Sequence, residues 1–180
     1  MGPARNPSSI HSFGRSSKFI METARGELAE LAGGDASGFM FTSGGTEANN
    51  TALLGFEQVI TCMVEHDAVL AARPDAHKIN VGNDGGINLA ELDLALQQAK
   101  SKGGEILVSV MLVNNETGRI QPIEKLLEMC QAYDVVFHSD MVQALGKIPI
   151  KLDEWSRSGL TMASFSAHKI GGPPGVGALW

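Results

Sequence analysis

The sequence predicts an α/β fold in which a mostly parallel sheet is sandwiched by helices. Three observations carry this expectation. Short apolar and β-branched runs alternate with helical stretches along the whole chain, which is the signature of strand–helix–strand units. Glycine pairs at 33–34, 44–45, 85–86 and 103–104, with a last cluster across 171–177, separate these runs, as helix ends and tight turns require. The 180 residues are 43% hydrophobic and 19% charged, a composition and length suited to one globular domain with a core.

The elements follow in order. Residues 1–15 read as an irregular lead-in rich in Pro, Ser and Gly. Ser16 or Ser17 can cap a helix to Ala32, with Ile20, Ala24, Leu28 and Leu31 on one face and Gly33–Gly34 as its stop. Residues 39–42 form a short strand and 46–56 a helix, with Glu47 in its first turn. Residues 59–64 form a buried strand and 78–81 a weaker one. Asn88 with Glu91 resembles a capping box for a helix to about Lys102. Residues 106–113 are the strongest strand. Pro122 opens a helix over 123–133. Strands over 135–139, 162–166 and 176–180 complete the set.

Composition narrows the function classes. A net charge of −6 argues against a nucleic-acid partner. No apolar run reaches the roughly 20 residues of a bilayer span. Residues 1–15 have no apolar core of a signal peptide, and Gly2 does not open a myristoylation motif. Two cysteines, Cys62 and Cys130, are too few for a disulfide scaffold and lack metal spacing. A reducing cytoplasm is the expected setting, with no metal site.

In open sheets, ligands bind beyond the carboxyl ends of the strands. Five chemically suited segments fall there. Thr42-Ser-Gly-Gly-Thr46 lies between a strand and a helix start, where Gly45, the backbone N–H groups and the Thr46 hydroxyl suit a phosphate. It is neither a P-loop nor a Gly-x-Gly-x-x-Gly dinucleotide turn. Glu65-His66 supplies an imidazole that can stack on a ring and move protons. Asn114-Asn115 supplies amides for a ring oxygen. Asp140 can hold a pyridinium nitrogen protonated, and Gln143 can reach a ring hydroxyl. Ser166, His168 and Lys169 follow the next strand, and a lysine there can carry a carbonyl cofactor. Taken singly, each has a plain structural explanation: a helix cap, a core histidine, a turn asparagine, a surface lysine. A generic nucleotide-binding domain is the rival reading of the fold alone.

The order of these segments is specific. Asn6-Pro-Ser-Ser-x-His-x-x-Gly14, Thr42-Ser-Gly-Gly-Thr-Glu-Ala-Asn-Asn50, Glu65-His-x-Ala-Val-Leu70 and Asn114-Asn-Glu-Thr-Gly118 resemble the cysteine desulfurases. So do His138-x-Asp-x-x-Gln-x-x-Gly-Lys-Ile-Pro-Ile150 and Ser166-Ala-His-Lys169. These are class V, fold-type I enzymes dependent on pyridoxal 5′-phosphate (PLP). The resemblance spans nearly the whole chain. It implies a PLP-dependent transferase-like large domain over 16–180, truncated before a C-terminal small domain.

The resemblance also implies residue roles. Lys169 would carry PLP, Asp140 would pair with the pyridine nitrogen, and Gln143 and Asn115 would lie by the ring oxygen. His66 would stack on the ring and assist proton transfer. Gly45, Thr46, Ser166 and His168 would hold the phosphate. The family reaction takes sulfur from L-cysteine to an enzyme cysteine persulfide, leaving alanine, in iron–sulfur cluster or thio-cofactor assembly. A homodimer and a sulfur-acceptor or scaffold protein are the implied partners. Selenocysteine lyase, an aminotransferase, or a catalytically silent PLP-binding module are the alternatives. The family's nucleophilic cysteine and its carboxylate-gripping arginine are expected past residue 180. Cys62 and Cys130 read instead as core residues. Arg5 stands where the family usually has Gly, and the stretch from His66 to Gly82 looks short for the family.

Overall fold

The structure, a computed structural model, describes residues 6–180; Arg5 and the rest of residues 1–5 therefore lie outside the described residues. The elements run α1 (Ser12–Ala32), β1 (Met40–Thr42), α2 (Gly45–Leu53), β2 (Gln58–Cys62), α3 (Asp67–Leu70), β3 (His77–Ile79) and α4 (Leu89–Lys102). Then follow β4 (Ile106–Ser109), α5 (Ile123–Ala132), β5 (Val136–Asp140), α6 (Leu152–Arg157), β6 (Leu160–Ser166) and β7 (Gly177–Leu179). Single 3₁₀ turns occupy Ala36–Gly38 and Ala167–Ile170.

The seven strands form one sheet in the order β1-β7-β6-β5-β4-β2-β3. Pairings among β3, β2, β4, β5 and β6 are parallel. β7 is antiparallel to both β6 and β1, so β1 again points the same way as the parallel strands. Six of the seven strands thus end at one edge.

Alternation along the strands explains the layers. Ile60, Cys62, Val108 and Phe137 pack with Ala29 and Ala32 of α1, Leu92 and Leu96 of α4, Leu126 and Leu127 of α5, and Trp155 of α6. Val59 and Leu107, one residue out of phase, face the other way with Leu53 of α2 and Val69 of α3. Side chains of period 2 on a sheet covered on both faces give runs in which every position is apolar. All four residues of β4 are buried for this reason.

Several local details differ from the sequence expectation. α1 starts at Ser12, so the irregular lead-in ends earlier than Arg15. Its cap is the His11 ring, whose Nδ1 accepts the Gly14 N–H at 3.2 Å, in place of a Ser16 or Ser17 hydroxyl. Asn88 caps α4 by accepting from Glu91 N at 3.2 Å. Glu91 does not complete the box; its carboxylate binds the Asn80 amide at 2.9 Å, tying α4 to the strand beside it. The strand expected over 106–113 is regular only to Ser109. Val110 and Leu112 nevertheless continue its path, donating to His138 O at 3.1 Å and Asp140 O at 2.9 Å. Residues 176–180 contribute a strand inserted between β6 and β1. It passes so close to the β1–α2 turn that a Cβ on Gly177 would lie 2.4 Å from the Gly44 carbonyl carbon.

Candidate active site

All nine site residues named from the sequence line one cavity of about 210 Å³: Gly45, Thr46, His66, Asn115, Asp140, Gln143, Ser166, His168 and Lys169. They come from five separate connections. The parallel strands explain the convergence, because β1, β2, β4, β5 and β6 deliver their following loops to the same edge.

The α2 end is a cradle. No side chain caps the helix, so its first N–H groups have no partner within the helix. Glu47 accepts from Ser43 N at 2.5 Å and steadies the turn outside the cavity. A Cβ on Gly45 would sit 2.9 Å from Val142 Cγ2 and 3.4 Å from Ser166 Cβ. The small residue therefore lets the helix start close onto the loops after β5 and β6. Across from it, Ser166 Oγ and His168 Nδ1 are 2.8 Å apart. Uncapped amides, two hydroxyls and an imidazole form a donor set that fits a phosphate.

The ring end holds the acids. Asp140 ends β5 and is 6% exposed. Its Oδ1 accepts from Val142 N at 2.9 Å and its Oδ2 from Asn49 Nδ2 at 2.6 Å. Burial lifts its pKa above the usual carboxylate value, opposed by these two donors and by nearby His66. Glu65, also 6% exposed, accepts only one bond, from Met111 N at 2.8 Å. Its Oε2 is buried without a partner. Burial, reinforced by the Asp140 charge, pushes its pKa well up. Two buried carboxyls within electrostatic reach cannot both ionise cheaply. Of the two, Asp140 has more donors favouring its charged form, while Glu65 is pushed further toward the protonated form. A buried carboxyl held by two donors fits a partner for the pyridinium nitrogen of PLP.

His66 caps α3, its Nδ1 accepting from Ala68 N at 3.0 Å. In the neutral ring the proton is then on Nε2. The loop is stitched to the β4 side twice, through Glu65 to Met111 and through Asn114 Nδ2 to Val64 O at 3.0 Å. Asn114 Oδ1 in turn accepts from Thr117 N at 2.9 Å, which fixes the turn that presents Asn115. Gln143 Oε1 accepts from Lys147 at 2.6 Å, leaving its NH₂ as a donor. Lys169 is exposed on the 3₁₀ turn after β6. Among the described residues its Nζ makes no ion pair or hydrogen bond.

Beneath the site, His138 bridges three strands. Its Nδ1 lies 2.9 Å from Ser109 Oγ and its Nε2 2.9 Å from Ser164 Oγ. Burial holds its pKa down at about 3, so it is a neutral clamp. Cys62 and Cys130 are buried and do not line the cavity. Burial pushes their thiols up to about 11 and about 12.

Sequence reasoning missed Asn49, Ala68, Met111, Val113 and Val142 as lining residues. The four apolar ones carry no chemical signal. Asn49 sits inside a helix, away from the strand ends.

A family profile for class-V aminotransferases matches residues 3–180. The chain belongs to the aminotransferase class-V family. These enzymes depend on PLP, and the cavity described above has the donors and the acid such a group needs. The class-V chain is 40% identical over 190 residues to the cysteine desulfurase IscS of Dictyoglomus turgidum, covering 97% of this chain and 46% of that protein. It is 42% identical over 191 residues to the mitochondrial cysteine desulfurase of Eremothecium gossypii, covering 97% of this chain and 37% of that one. The chain thus spans less than half the length of these relatives. In three dimensions it is similar to a NifS-like protein of Rickettsia africae (TM-score 0.89, 35% identity, 96% of this chain and 49% of that one). It is also similar to SspA in complex with cysteine (TM-score 0.87, 29% identity, 98% and 53%). The α/β, mostly parallel fold expected from the sequence is the one these structures share. No helix among the described residues is long and apolar enough to cross a membrane.

Proposed function

We propose that this chain is the PLP-binding large domain of a cysteine desulfurase, acting on L-cysteine. The observation that carries the reading is the meeting of nine residues from five loops in one cavity. When bound, PLP supplies an electron sink for breaking bonds at the carbon bearing the substrate amine. The protein's own groups would do the rest. The first turn of α2, with Thr46, Ser166 and His168, would bind the phosphate. The Asp140 carboxylate would keep the pyridine nitrogen protonated, and the Gln143 amide would donate to the ring oxygen. His66 would cover one ring face and offer its Nε2–H. Lys169 Nζ would hold the cofactor and then take and return the proton at the substrate carbon. Asn115 would bind beside the ring oxygen.

Both cysteines speak for a second reading. Among the described residues both thiols are buried away from the cavity, and burial raises their pKa values, which works against a sulfur-accepting thiolate. The 180 residues by themselves would then bind PLP without releasing sulfur. A homodimer, a sulfur-acceptor protein and a cytoplasmic setting belong to the same proposal for the whole protein.

The test is chemical. The purified protein is mixed with PLP, reduced with borohydride and digested for peptide mass analysis. The expected result is one pyridoxyl group, on Lys169. Labelling spread over other lysines, or none, would overturn the reading. Sulfide released from cysteine by the same protein would remove the second reading and leave the first.

A further inference from the structure

Asn49 lies in the second turn of α2, 1% exposed, beside buried Ala48 and Ala52. Its Nδ2 donates to Asp140 Oδ2 at 2.6 Å across 91 residues of sequence. The orientation follows from chemistry, since an amide oxygen facing a carboxylate would be repelled. The other half of the amide, Oδ1, is buried with no partner. An apolar residue of similar size would fill the space without leaving an acceptor stranded. The amide therefore has one partner, and that partner is Asp140.

We propose that Asn49 is a positioning residue that fixes the Asp140 carboxylate relative to the phosphate-binding end of α2. The inference rests on the PLP reading above. Val142 N on Oδ1 and Asn49 Nδ2 on Oδ2 together set the plane of the carboxylate. Asn49 also joins two segments that touch a second time where Gly45 meets Val142. The helix start and the acid would contact opposite ends of the same ligand, so a rigid strut between them sets the span into which that ligand fits. The amide also offsets burial of the anion, with Glu65 and His66 as the other titratable groups facing it.

The experiment is a double-mutant cycle read by PLP affinity in absorbance titrations, with thermal unfolding of the unliganded proteins as the check on folding. Asn49→Ala should weaken PLP binding about tenfold, as loss of a hydrogen bond to a charged group does. In an Asp140→Asn background the same change should cost less than about twofold, because the strut no longer holds an anion. Asn49→Asp keeps the shape but sets two carboxyls against each other, so it should weaken binding at least as much as Ala. Its closeness in size makes it the deciding variant where Asn49→Ala unfolds. Effects of Asn49→Ala and Asp140→Asn that multiply independently overturn the inference, as does an Asn49→Asp protein that binds PLP normally. Borohydride labelling of the unsubstituted protein separates the two levels. A Lys169 adduct with an uncoupled cycle sinks the strut alone. No adduct at Lys169 sinks the PLP reading and the strut with it.

Discussion

The two edges of the sheet differ in chemistry more than in shape. At the amino-terminal edge, hollows of about 480 and 500 Å³ are bordered by Gln58, His77 and Lys102, and by Lys100, Glu105 and Asp134. Both exceed the 210 Å³ cavity at the carboxyl-terminal edge. The polar groups there serve the fold, as Gln58 shows. Gln58 Nε2 donates to Ala99 O and Gly103 O at 3.0 and 2.7 Å, closing the end of α4. At the other edge the buried Asp140 carboxylate and Asn49, whose amide oxygen is stranded, both line the smaller space. Polar groups kept buried at a cost, not volume, mark the site.

Substitutions at the two edges should therefore diverge. The largest effect is expected from Lys169→Ala, which should remove the absorbance band of bound PLP entirely; an unchanged spectrum would assign the anchor to another lysine. Gly177→Ala comes next. Its methyl group would meet backbone at the β1–α2 turn, so the unfolding free energy should fall by about 1–3 kcal/mol in a denaturant titration. A neutral result there would mean that the turn yields and that the cradle is not held by close packing.

Glu65→Gln should work in the opposite direction. The Glu65 pKa is raised by burial, so the stability that goes with the protonated acid is complete below the ordinary glutamate range and is lost as pH rises through the folded value. A neutral amide has no such loss. The variant should gain on the order of 1 kcal/mol at neutral pH and show a flatter stability curve above pH 5. A loss at neutral pH would show that Glu65 is ionised and paired. His138 has the reverse sign. With its pKa held down to about 3 from 6.5, its contribution is present above pH 6.5 and disappears as pH falls toward 3. His138→Gln should take up one proton fewer on unfolding near pH 5, measured by comparing potentiometric titrations. The smallest effect belongs to Lys102→Ala at the amino-terminal edge, where PLP affinity should not move and stability should stay within about 0.5 kcal/mol. A marked loss of PLP binding there would erase the contrast between the edges.

Much of the site was legible in the sequence because its logic is local. A strand ends, a reactive side chain follows, and parallel strands bring those ends together. His66, Asp140 and Lys169 all obey this rule. Asn49 does not: it reaches the site from inside a helix, through a bond to a residue 91 positions away, and no spacing announces it. The fold was read with similar strengths and gaps. Buried strands such as 59–64 stand out by their apolar runs, whereas α6 (Leu152–Arg157) spans less than two turns and gives too short a period to detect. The start of α1 was misplaced because a histidine ring does the work usually given to a hydroxyl. The antiparallel insertion of β7 between β6 and β1 depends on pairing choices that strand sequences do not encode.

The decisive measurement is a crystal structure of the protein soaked with PLP. Density for a phosphorylated ring is expected at the carboxyl-terminal edge, joined to Lys169 Nζ, with its nitrogen at Asp140, one face against His66 and its phosphate at Gly45–Thr46. A ring bound in the larger hollows at the opposite edge, or attached to Lys100 or Lys102, would contradict it.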